Sequence, residues 1–588
     1  MQNLGAPQKG NFFGFSIELS IVNQIIGHNS THLNVPFLNY LGGLRSRSGA
    51  GAIIRVGGNS QEMSLLFLQG FPTGSVINKT ISPLSITPKV NIGPELFYSM
   101  GNVSALLGVQ WYSGLPFADP GNTTGIAEIS ALAEQILGSN LIGLQLGNEP
   151  DLYENRILTF PYPRPVPYTI QDYFNEWNAS VIAMQNIPAI SNKKILAGPS
   201  VCCNIDHQWS IDQVLQAGFM NIYKSQLADL TVQHYPNNNC RTTNPVSAQN
   251  IFPTYLTHAQ AQRSFGLYVN ATVAAQQGGR QLVMLETNSA SCGGFVGLSD
   301  SFGAALWGID YALQLAYGNF SNILFHVGGQ NVAYNRFTPP PGNVSKLVGG
   351  WWSTGPIYYS ALVVTEALGS SNVSQVVDLN MNGGSPYTPG YAIYENGNPA
   401  RVVMINFMND PTGANDYTAS IIVGGVAPPT SVTVRYLTAP SVSEKHNISW
   451  AGQTYGGYFQ SDGRPQGNVT TETVQCYPAT GCAIQVKAPS VALVFLSNGS
   501  MSESGPVDGI PATYSTSTHT LYQGPTINQA VLATSNGRGG PGQRLGDSTS
   551  PGHHHSGAIP ARAAASVSMI FGLVSGAVAL GVRCVFGG

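Results

Sequence analysis

The first 360 residues alternate between short apolar runs and longer segments with helical spacing, and this alternation restricts the fold more than any other feature. Apolar runs bounded by turn residues are typical of strands buried in a parallel sheet. The predicted strands are 11–19, 52–56, 104–111, 141–146, 194–198, 228–236, 282–286 and 322–326. Helical spacing is found at 126–137, 170–184, 211–225, 254–277 and 302–317. Eight strands alternating with helices predict an α/β fold, a (β/α)8 TIM barrel over residues 1–360.

Two of the predicted strands end in a carboxylate. The fourth runs into Asn148-Glu149-Pro150, and the seventh ends at Glu286. Pro150 stops the strand because it has no N–H to donate to the ladder. Enzymes with parallel sheets carry their chemistry at the carboxyl ends of the strands, so both glutamates are predicted to lie at the barrel mouth. The alternative is that each is a solvated strand end or the partner of an arginine.

A pair of carboxyl groups placed in this way can cleave a glycosidic bond. In a retaining glycosidase one carboxylic acid protonates the departing oxygen, while a carboxylate about 5 to 5.5 Å away attacks the anomeric carbon. Spacing in the sequence does not assign the two roles between Glu149 and Glu286. The mechanism needs no cofactor.

Four residues in or just after predicted strands are candidates for substrate binding. Asn148 can donate a hydrogen bond to a sugar 2-hydroxyl, which strengthens in the transition state. Arg55 lies inside an apolar run, and a buried arginine needs a carboxylate, either a catalytic glutamate or a structural acid. His234 and Tyr235 end the sixth strand, where they can contact a sugar or simply pack in the core.

The composition excludes several classes of partner and site. With a net charge of −3 and 9% charged residues, the chain lacks the basic field that nucleic-acid binding requires. We predict no metal site, because no cysteine pair has C-x-x-C spacing and the adjacent Cys202 and Cys203 suit a tetrahedral site poorly. Cys476 and Cys482 flank a turn and can form a local disulfide, while the pairing of the other cysteines stays open.

The texture of the sequence changes after the predicted barrel. Residues 361–500 contain short alternating runs separated by turns, which predict an all-β sandwich domain. Residues 501–560 are rich in Ser, Thr, Gly and Pro and are predicted to be a disordered linker. Residues 561–588 form a mostly apolar tail that is typical of a GPI-attachment signal, with a single membrane span as the alternative.

Signals for the cellular location point in two directions. Dense N-x-S/T sequons favour an extracellular or cell-surface protein, tethered to the membrane only through the tail. The amino terminus, however, has no basic and apolar leader typical of a signal peptide. We expect that the start site is placed too far downstream, and a cytoplasmic form is the alternative. The sequons are at Asn29, Asn78, Asn102, Asn122, Asn178, Asn270, Asn319, Asn343, Asn372, Asn447, Asn468 and Asn498.

Taken together, several motifs resemble glycoside hydrolase family 79 of clan A, in its fungal β-glucuronidase branch, which is related to heparanase. The resemblance covers residues 11–497 and is carried by FFGFSIELS, IRVGGNS, LQLGNEPD, LETNSASCGG, FHVGGQNVAYNRFTPPP and TGPIYYSALVV. It implies that Glu149 is the acid/base, Glu286 the nucleophile and Asn148 the ligand of the 2-hydroxyl. It also implies that part of the glucuronate carboxylate subsite lies at 328–334, with Gln330 and Tyr334 as candidates.

The resemblance also raises an expectation about the amino terminus. Members of this family usually have an extra strand before the first barrel strand, and it pairs with the C-terminal sandwich. Here only ten residues precede Asn11. The resemblance therefore predicts that the sandwich lacks this edge partner.

Three functions are compatible with these observations. The first is a retaining exo-β-glucuronidase that removes terminal glucuronate, or its 4-O-methyl form, from glycans. The second is an endo-acting heparanase-like hydrolase, which the low charge disfavours because sulfated substrates favour a basic cleft. The third is a glycan-binding or cell-wall protein without activity, which the presence of both glutamates disfavours.

Overall fold

A computed structural model describes residues 4–80, 88–155, 164–203, 209–240, 245–330, 332–340, 351–424 and 429–505. The predicted linker from residue 506 onward and the apolar tail at 561–588 lie outside these ranges. Residues 501–505, which the sequence assigned to the linker, continue the folded domain, because Glu503 forms a 3.1 Å ion pair with Arg401. Within the described residues, none of the helices has the length and hydropathy of a membrane span.

The core of the molecule is a closed barrel of eight parallel strands, as the sequence predicted. Hydrogen bonding follows chain order around the barrel and closes between the first and eighth strands. Side chains at the carboxyl ends of all eight strands therefore meet at one mouth. The strands are β1 Phe13–Glu18, β2 Ile53–Gly57, β3 Gln110–Leu115, β4 Leu141–Leu146, β5 Leu196–Val201, β6 Leu227–His234, β7 Leu282–Thr287 and β8 Asn322–Val327.

Helices pack around the outside of this barrel. The segments predicted at 211–225 and 254–277 are each divided into shorter helices, the first at Gly218, which has a positive φ of 100°. These helices are α1 Val35–Ser48, α2 Pro94–Leu107, α3 Thr123–Leu137, α4 Ile170–Gln185, α5 Ile211–Gln216, α6 Phe219–Ile222, α7 Ala248–Tyr255, α8 His258–Gly266, α9 Val269–Gln277, α10 Phe302–Tyr317 and α11 Ile357–Leu368. Shorter helical turns are Leu19–Ile21, Val22–Ile25, Asn59–Gln61, Gly138–Asn140, Pro150–Asn155, Met381–Gly384 and Asn498–Ser502. Short strands outside the barrel are Gly27–Asn29, His32–Leu33, Leu65–Leu66, Ile77–Thr80, Lys89–Ile92, Phe337–Thr338 and Ser353–Thr354.

The prediction of the third strand at 104–111 was wrong over most of its length. Ser104 to Leu107 form the last turn of α2, and the strand begins only at Gln110. Gly108, with φ +67°, ends the helix and donates its N–H to the Ser104 carbonyl. The apolar residues Val103 and Leu107 are buried as one face of the helix, so a short apolar run did not distinguish strand from helix.

The C-terminal domain is a nine-stranded antiparallel sheet. The strands are β9 Ser374–Asp378, β10 Gly390–Glu395, β11 Asn398–Asn406, β12 Tyr417–Ile421, β13 Ser431–Thr438, β14 Ser449–Trp450, β15 Glu472–Tyr477, β16 Gly481–Val486 and β17 Ser490–Phe495. In spatial order the sheet runs β9, β10, β11, β17, β13, β15, β16 and β12, with β14 paired to β13. Strands β11, β13 and β17 pack their apolar side chains against β16 in a separate core, so the two layers of the predicted sandwich belong to one sheet that folds over itself.

The barrel and the C-terminal domain are joined by helix α11 and by the amino-terminal segment. Helix α11 spans the predicted domain boundary at residue 360. Gln8 donates its backbone N–H to the Ser374 carbonyl of edge strand β9 at 2.6 Å, and Gln375 donates its side-chain N–H to the Gly5 carbonyl. The residues before the barrel thus contact this edge through a single backbone bridge, and within the described ranges no strand pairs with β9 on that side.

Candidate active site

Glu149 and Glu286 both lie at the barrel mouth, at the ends of β4 and β7. Each residue is only 7% exposed. The turn after β4 depends on Gly147, whose φ is +78° and whose position has no room for a Cβ beside Phe117 and Tyr153. Glu149 itself has a positive φ of 52°, which is uncommon for a residue with a side chain and is frequent at functional sites.

Three side chains surround the Glu286 carboxylate. The Tyr235 hydroxyl donates to Oε1 at 2.8 Å, Arg55 donates to Oε2, and His326 Nδ1 lies 3.7 Å from Oε2. Burial alone raises the pKa of Glu286, but the electrostatic interactions with His326 and Arg55 and the Tyr235 hydrogen bond lower it by more. The net effect is a pKa below the ordinary value, so Glu286 stays ionised as a nucleophile requires.

Arg55 is fully buried and holds several side chains of the site in place. Its other donors bond to Ser16 Oγ at 3.0 Å, Gln145 Oε1 at 2.8 Å, Gln61 Oε1 at 3.0 Å and Asn148 Oδ1 at 2.7 Å. The sequence predicted that this arginine needs a carboxylate, and the structure pairs it with Glu286.

The side chain of Asn148 joins the turn after β4 to β2 and β6. Its Oδ1 accepts hydrogen bonds from Arg55 and from Gln233 Nε2, the latter at 2.7 Å, and its Nδ2 donates to Asn59 Oδ1 at 2.9 Å. These contacts fix the orientation of the amide, and Arg55 connects it to Glu286. Its role toward a sugar hydroxyl stays a prediction.

Glu62 supports the turn that carries Asn148 and Glu149, and it is not among the residues predicted from the sequence. Its carboxylate accepts the backbone N–H of Asn148, the hydroxyl of Tyr153 at 2.8 Å and the N–H of Phe117 at 3.1 Å. Glu62 lies in the polar segment that follows the GGNS motif after β2. An acidic residue is common in such a segment, so nothing specific in the sequence indicated that this one is buried.

Another buried carboxylate, that of Glu18, lies close to Glu286. Glu18, at the tip of β1, accepts hydrogen bonds from Ser60 and has its Oε2 3.6 Å from His326 Nε2. His326 therefore lies between Glu18 and Glu286. The same rule that identified the two glutamates, a polar residue at a strand tip, applies to Glu18 and His326.

Tyr334, which is buried, and Tyr235, which is partly buried, lie beside Glu286 with their ring centroids 6.4 Å apart. Burial, followed by the charge of Glu286, raises the pKa of both hydroxyl groups well above the usual value. Both phenols therefore stay protonated and can act as hydrogen-bond donors. The sequence proposed sugar contact for Tyr235, and the structure adds its hydrogen bond to Glu286.

The contacts described for His234 and Gln330 are with residues other than the two glutamates. His234 packs edge-on against Tyr268, and burial lowers its pKa to about 4, so its ring is neutral at neutral pH. Gln330 donates its side-chain N–H to the Pro339 carbonyl. Both residues stay candidates for substrate binding by their position after β6 and β8.

The one cluster with metal-ligand geometry in the described part of the chain does not suit a metal ion. A carboxylate oxygen of Glu149 and the sulfurs of Cys202 and Cys203 lie within 4.8 Å of one another. The two sulfurs are bonded to each other as a disulfide, so neither provides the thiolate that a metal needs. The other disulfides are Cys240–Cys292 and the predicted Cys476–Cys482.

Comparison with known proteins places these features in a family context. Residues 390–493 match the model of the glycosyl hydrolase family 79 C-terminal beta domain. A β-glucuronidase of Aspergillus niger is 26% identical over 78% of this chain and 86% of its own length. A β-glucuronidase of Neurospora crassa is 24% identical over 72% and 77%, respectively.

A solved structure shares the fold at low sequence identity. The 4-O-α-L-rhamnosyl-β-D-glucuronidase of Fusarium oxysporum 12S superposes with a TM-score of 0.67, at 19% identity, over 84% of this chain and 98% of that one. The likeness therefore extends through both the barrel and the C-terminal domain.

Proposed function

We propose that this chain is a member of glycoside hydrolase family 79 and a retaining exo-β-glucuronidase that removes terminal glucuronate, or its 4-O-methyl form, from glycans. The observation that carries this proposal is the environment of Glu286, a buried carboxylate kept ionised by Arg55, His326 and Tyr235 at the tip of β7. The second observation is Glu149 at the tip of β4, on the same mouth. The two curated relatives are both named β-glucuronidases.

The mechanism has two steps, and both glutamates take part in each. Glu149 gives its proton to the departing oxygen while Glu286 attacks the anomeric carbon and forms a glycosyl-enzyme ester. Glu149, now a carboxylate, then takes a proton from water, whose oxygen attacks the anomeric carbon and releases Glu286. The product keeps the β configuration.

Recognition of the glucuronate carboxylate is assigned to neutral donors. Tyr334 lies beside Tyr235 and is buried and protonated. Gln330, like Tyr334, lies in the segment that follows β8. A hydrogen bond from a neutral hydroxyl to a carboxylate is charge-assisted and about twice as strong as one between two neutral groups. This arrangement supports a glucuronate subsite that contains no salt bridge to substrate.

An endo-acting heparanase-like activity is the second candidate, and the charge of the chain argues against it. Only 9% of the residues are charged, with a net charge of −3. A cleft for sulfated polymers is favoured by a concentrated positive field.

The test is hydrolysis of an aryl β-D-glucuronide, with the matched β-D-glucoside as control. We expect release of the aryl group from the glucuronide alone. A Glu286→Gln variant should lose turnover by at least about a thousandfold while keeping its affinity for substrate, because it removes only the attacking group. Undiminished turnover in this variant contradicts the assignment of the nucleophile.

We further propose an extracellular, cell-surface location, with a GPI anchor at the carboxyl terminus. Every sequon asparagine in the described residues is at least partly exposed, and three disulfides are typical of oxidising compartments. The test is release of the protein from intact cells by a phosphatidylinositol-specific phospholipase. Protein found in the cytoplasm without glycans contradicts this location.

A further inference from the structure

The cysteines that follow β5 form a disulfide between neighbours, Cys202–Cys203, directly at the barrel mouth. Cys202 is buried, whereas Cys203 is exposed. Strand tips on a barrel of this kind carry the groups that contact substrate. The glycosidase mechanism described above does not use this disulfide.

Asp151 fixes the disulfide to the turn that carries Glu149. Its Oδ1 accepts the N–H of Cys202 at 2.9 Å, and its Oδ2 accepts the N–H of Cys203 at 2.8 Å. Asp151 is buried and lies two residues after Glu149. Hydrogen bonds to an ionised group are stronger than neutral ones, so the tips of β4 and β5 are held together as one unit.

The sulfurs lie next to the place where the glycosidic bond breaks. Both are within 4.8 Å of a Glu149 carboxylate oxygen. A general acid must approach the oxygen that it protonates to about 2.6 to 3.2 Å. The departing oxygen therefore lies no farther than about 8 Å from either sulfur, which is within reach of the ring attached to that oxygen.

The disulfide lies beside the strand that leads to Glu149 and farther from the strands of the nucleophile cluster. In the closed order of strands, β5 is adjacent to β4 and is two, three and four positions from β7, β8 and β1. Glu18 on β1, His326 on β8 and Glu286 on β7 lie close together. They mark the side that binds the sugar that is attacked, so β5 faces the departing group.

On the premise of the proposed glucuronidase function, we propose that the Cys202–Cys203 disulfide is an apolar wall of the leaving-group subsite and packs against the ring of the departing sugar. A disulfide has no charge and no N–H or O–H to donate, and its sulfurs are polarisable, so it suits the C–H face of a sugar ring. Its contact with the leaving group positions the departing oxygen toward Glu149. It is a specificity and positioning element, and it takes no part in bond making.

Two substrates separate this role from general support of the barrel. A β-glucuronosyl-galactose disaccharide needs both the leaving-group subsite and proton donation. β-D-Glucuronyl fluoride needs neither, because fluoride carries no ring and departs without a proton. In the double variant Cys202→Ala/Cys203→Ala, we expect kcat/KM for the disaccharide to fall about tenfold, as the loss of one apolar contact predicts, and kcat/KM for the fluoride to change less than twofold.

The matched control is Cys476→Ala/Cys482→Ala, which removes the disulfide of the C-terminal sheet and should leave the ratio of the two substrates unchanged. Equal losses on both substrates in the Cys202/Cys203 variant, or no loss on either, overturn this inference while leaving the proposed function intact. A wild-type protein that cleaves neither substrate overturns the proposed function and this inference with it.

A measurement on the wild-type protein does not depend on folding of the variant. Galactose at saturating concentration should slow reduction and alkylation of Cys202–Cys203 severalfold, measured by mass spectrometry, without affecting Cys476–Cys482. Equal reduction rates at Cys202–Cys203 with and without galactose contradict a leaving-group contact.

Discussion

Tyr235 donates one of the hydrogen bonds that lower the pKa of Glu286. Its hydroxyl donates to Glu286 at 2.8 Å in a site from which most water is excluded. A hydrogen bond to a charged group is worth about 1.5 to 3 kcal/mol. This bond is made to the ionised form of Glu286, so it favours that form over the protonated one.

Replacing Tyr235 by Phe should make the ionised form of Glu286 less stable relative to the protonated form. Because the hydrogen bond lowers the pKa of Glu286, its loss raises that pKa, and the acidic limb of kcat/KM against pH should move to higher pH. We also expect kcat/KM at its optimum to fall about tenfold, the lower end of what one such bond is worth. The measurement is a pH profile of glucuronide hydrolysis, and an acidic limb that stays in place contradicts the role.

Glu62 is expected to act through the turn that carries Asn148 and Glu149. Glu62→Gln replaces a carboxylate that accepts three donors by an amide that accepts through one oxygen. We expect kcat to fall about tenfold or more, with a smaller change in KM, because misplacement of a catalytic group affects mainly the transition state.

A matched control for this variant is Glu134→Gln. Glu134 lies on α3 and bonds to Ser191 and Asn192, away from the mouth. It should keep kcat within twofold. Equal effects of the two substitutions contradict a specific role for Glu62.

Among the elements, helix α8 is tied to helix α10 and to strand β9 by one histidine. His258 Nδ1 lies 2.9 Å from Asp310 on α10, and its Nε2 lies 3.0 Å from Asp378 on β9. Burial lowers the pKa of His258, but the hydrogen bonds and charges of the two aspartates outweigh it and raise the pKa to about 10. The barrel and the C-terminal sheet are therefore linked by an ionised cluster.

His258→Gln should destabilise the protein in a manner that depends on pH. The folded pKa is above the unfolded value of about 6.5, so the stabilisation is complete below pH 6.5 and is lost as pH rises toward 10. We expect a cost of about 3 kcal/mol at pH 6, typical of removing one partner of a buried ion pair. Thermal unfolding of both proteins from pH 6 to pH 10 tests this, and a constant difference in melting temperature contradicts it.

At the scale of the whole molecule, the barrel and the C-terminal sheet share one hydrophobic core. Its buried residues come from the barrel strands and also from β9, β10, β11, β13 and β17. Helix α10 begins with the N–H groups of Phe302 and Gly303 donated to the carbonyls of Glu444 and Val442. A helix start that would otherwise leave orphan donors is thus completed by the other domain.

Glu366 on α11 forms ion pairs with two arginines at this interface. It accepts hydrogen bonds from Arg47 on α1, Arg435 on β13 and the indole of Trp450 on β14, at 2.7, 2.6 and 2.8 Å. Both arginines and the indole are thereby held by one buried carboxylate.

We expect the two domains to unfold in a single transition in calorimetry. Glu366→Gln should lower the temperature of that one transition, at a cost of about 3 kcal/mol, without splitting it. A fragment ending at residue 368 should not fold, since it exposes the shared core. Two separate transitions in the wild-type protein contradict this account of the interface.

The sequence by itself determined the class of fold and the carboxylate pair. The strand period and the turn residues are local properties, so seven of the eight barrel strands were placed to within a few residues, and the strand-tip rule identified Glu149 and Glu286. The third strand was misplaced because the short apolar run Ala105-Leu106-Leu107 has no period long enough to separate helix from strand.

Contacts between residues far apart in the chain were decided only by the tertiary structure. Examples are His326 between Glu18 and Glu286, Asp151 on the two cysteines, and Gln8 on edge strand β9. Each depends on which strand tips and edges become neighbours when the barrel closes and the sheet folds over. No periodicity along the chain contains that information, because closure brings together residues up to several hundred positions apart in one buried site of low dielectric, where their charges and hydrogen bonds set one another's chemistry.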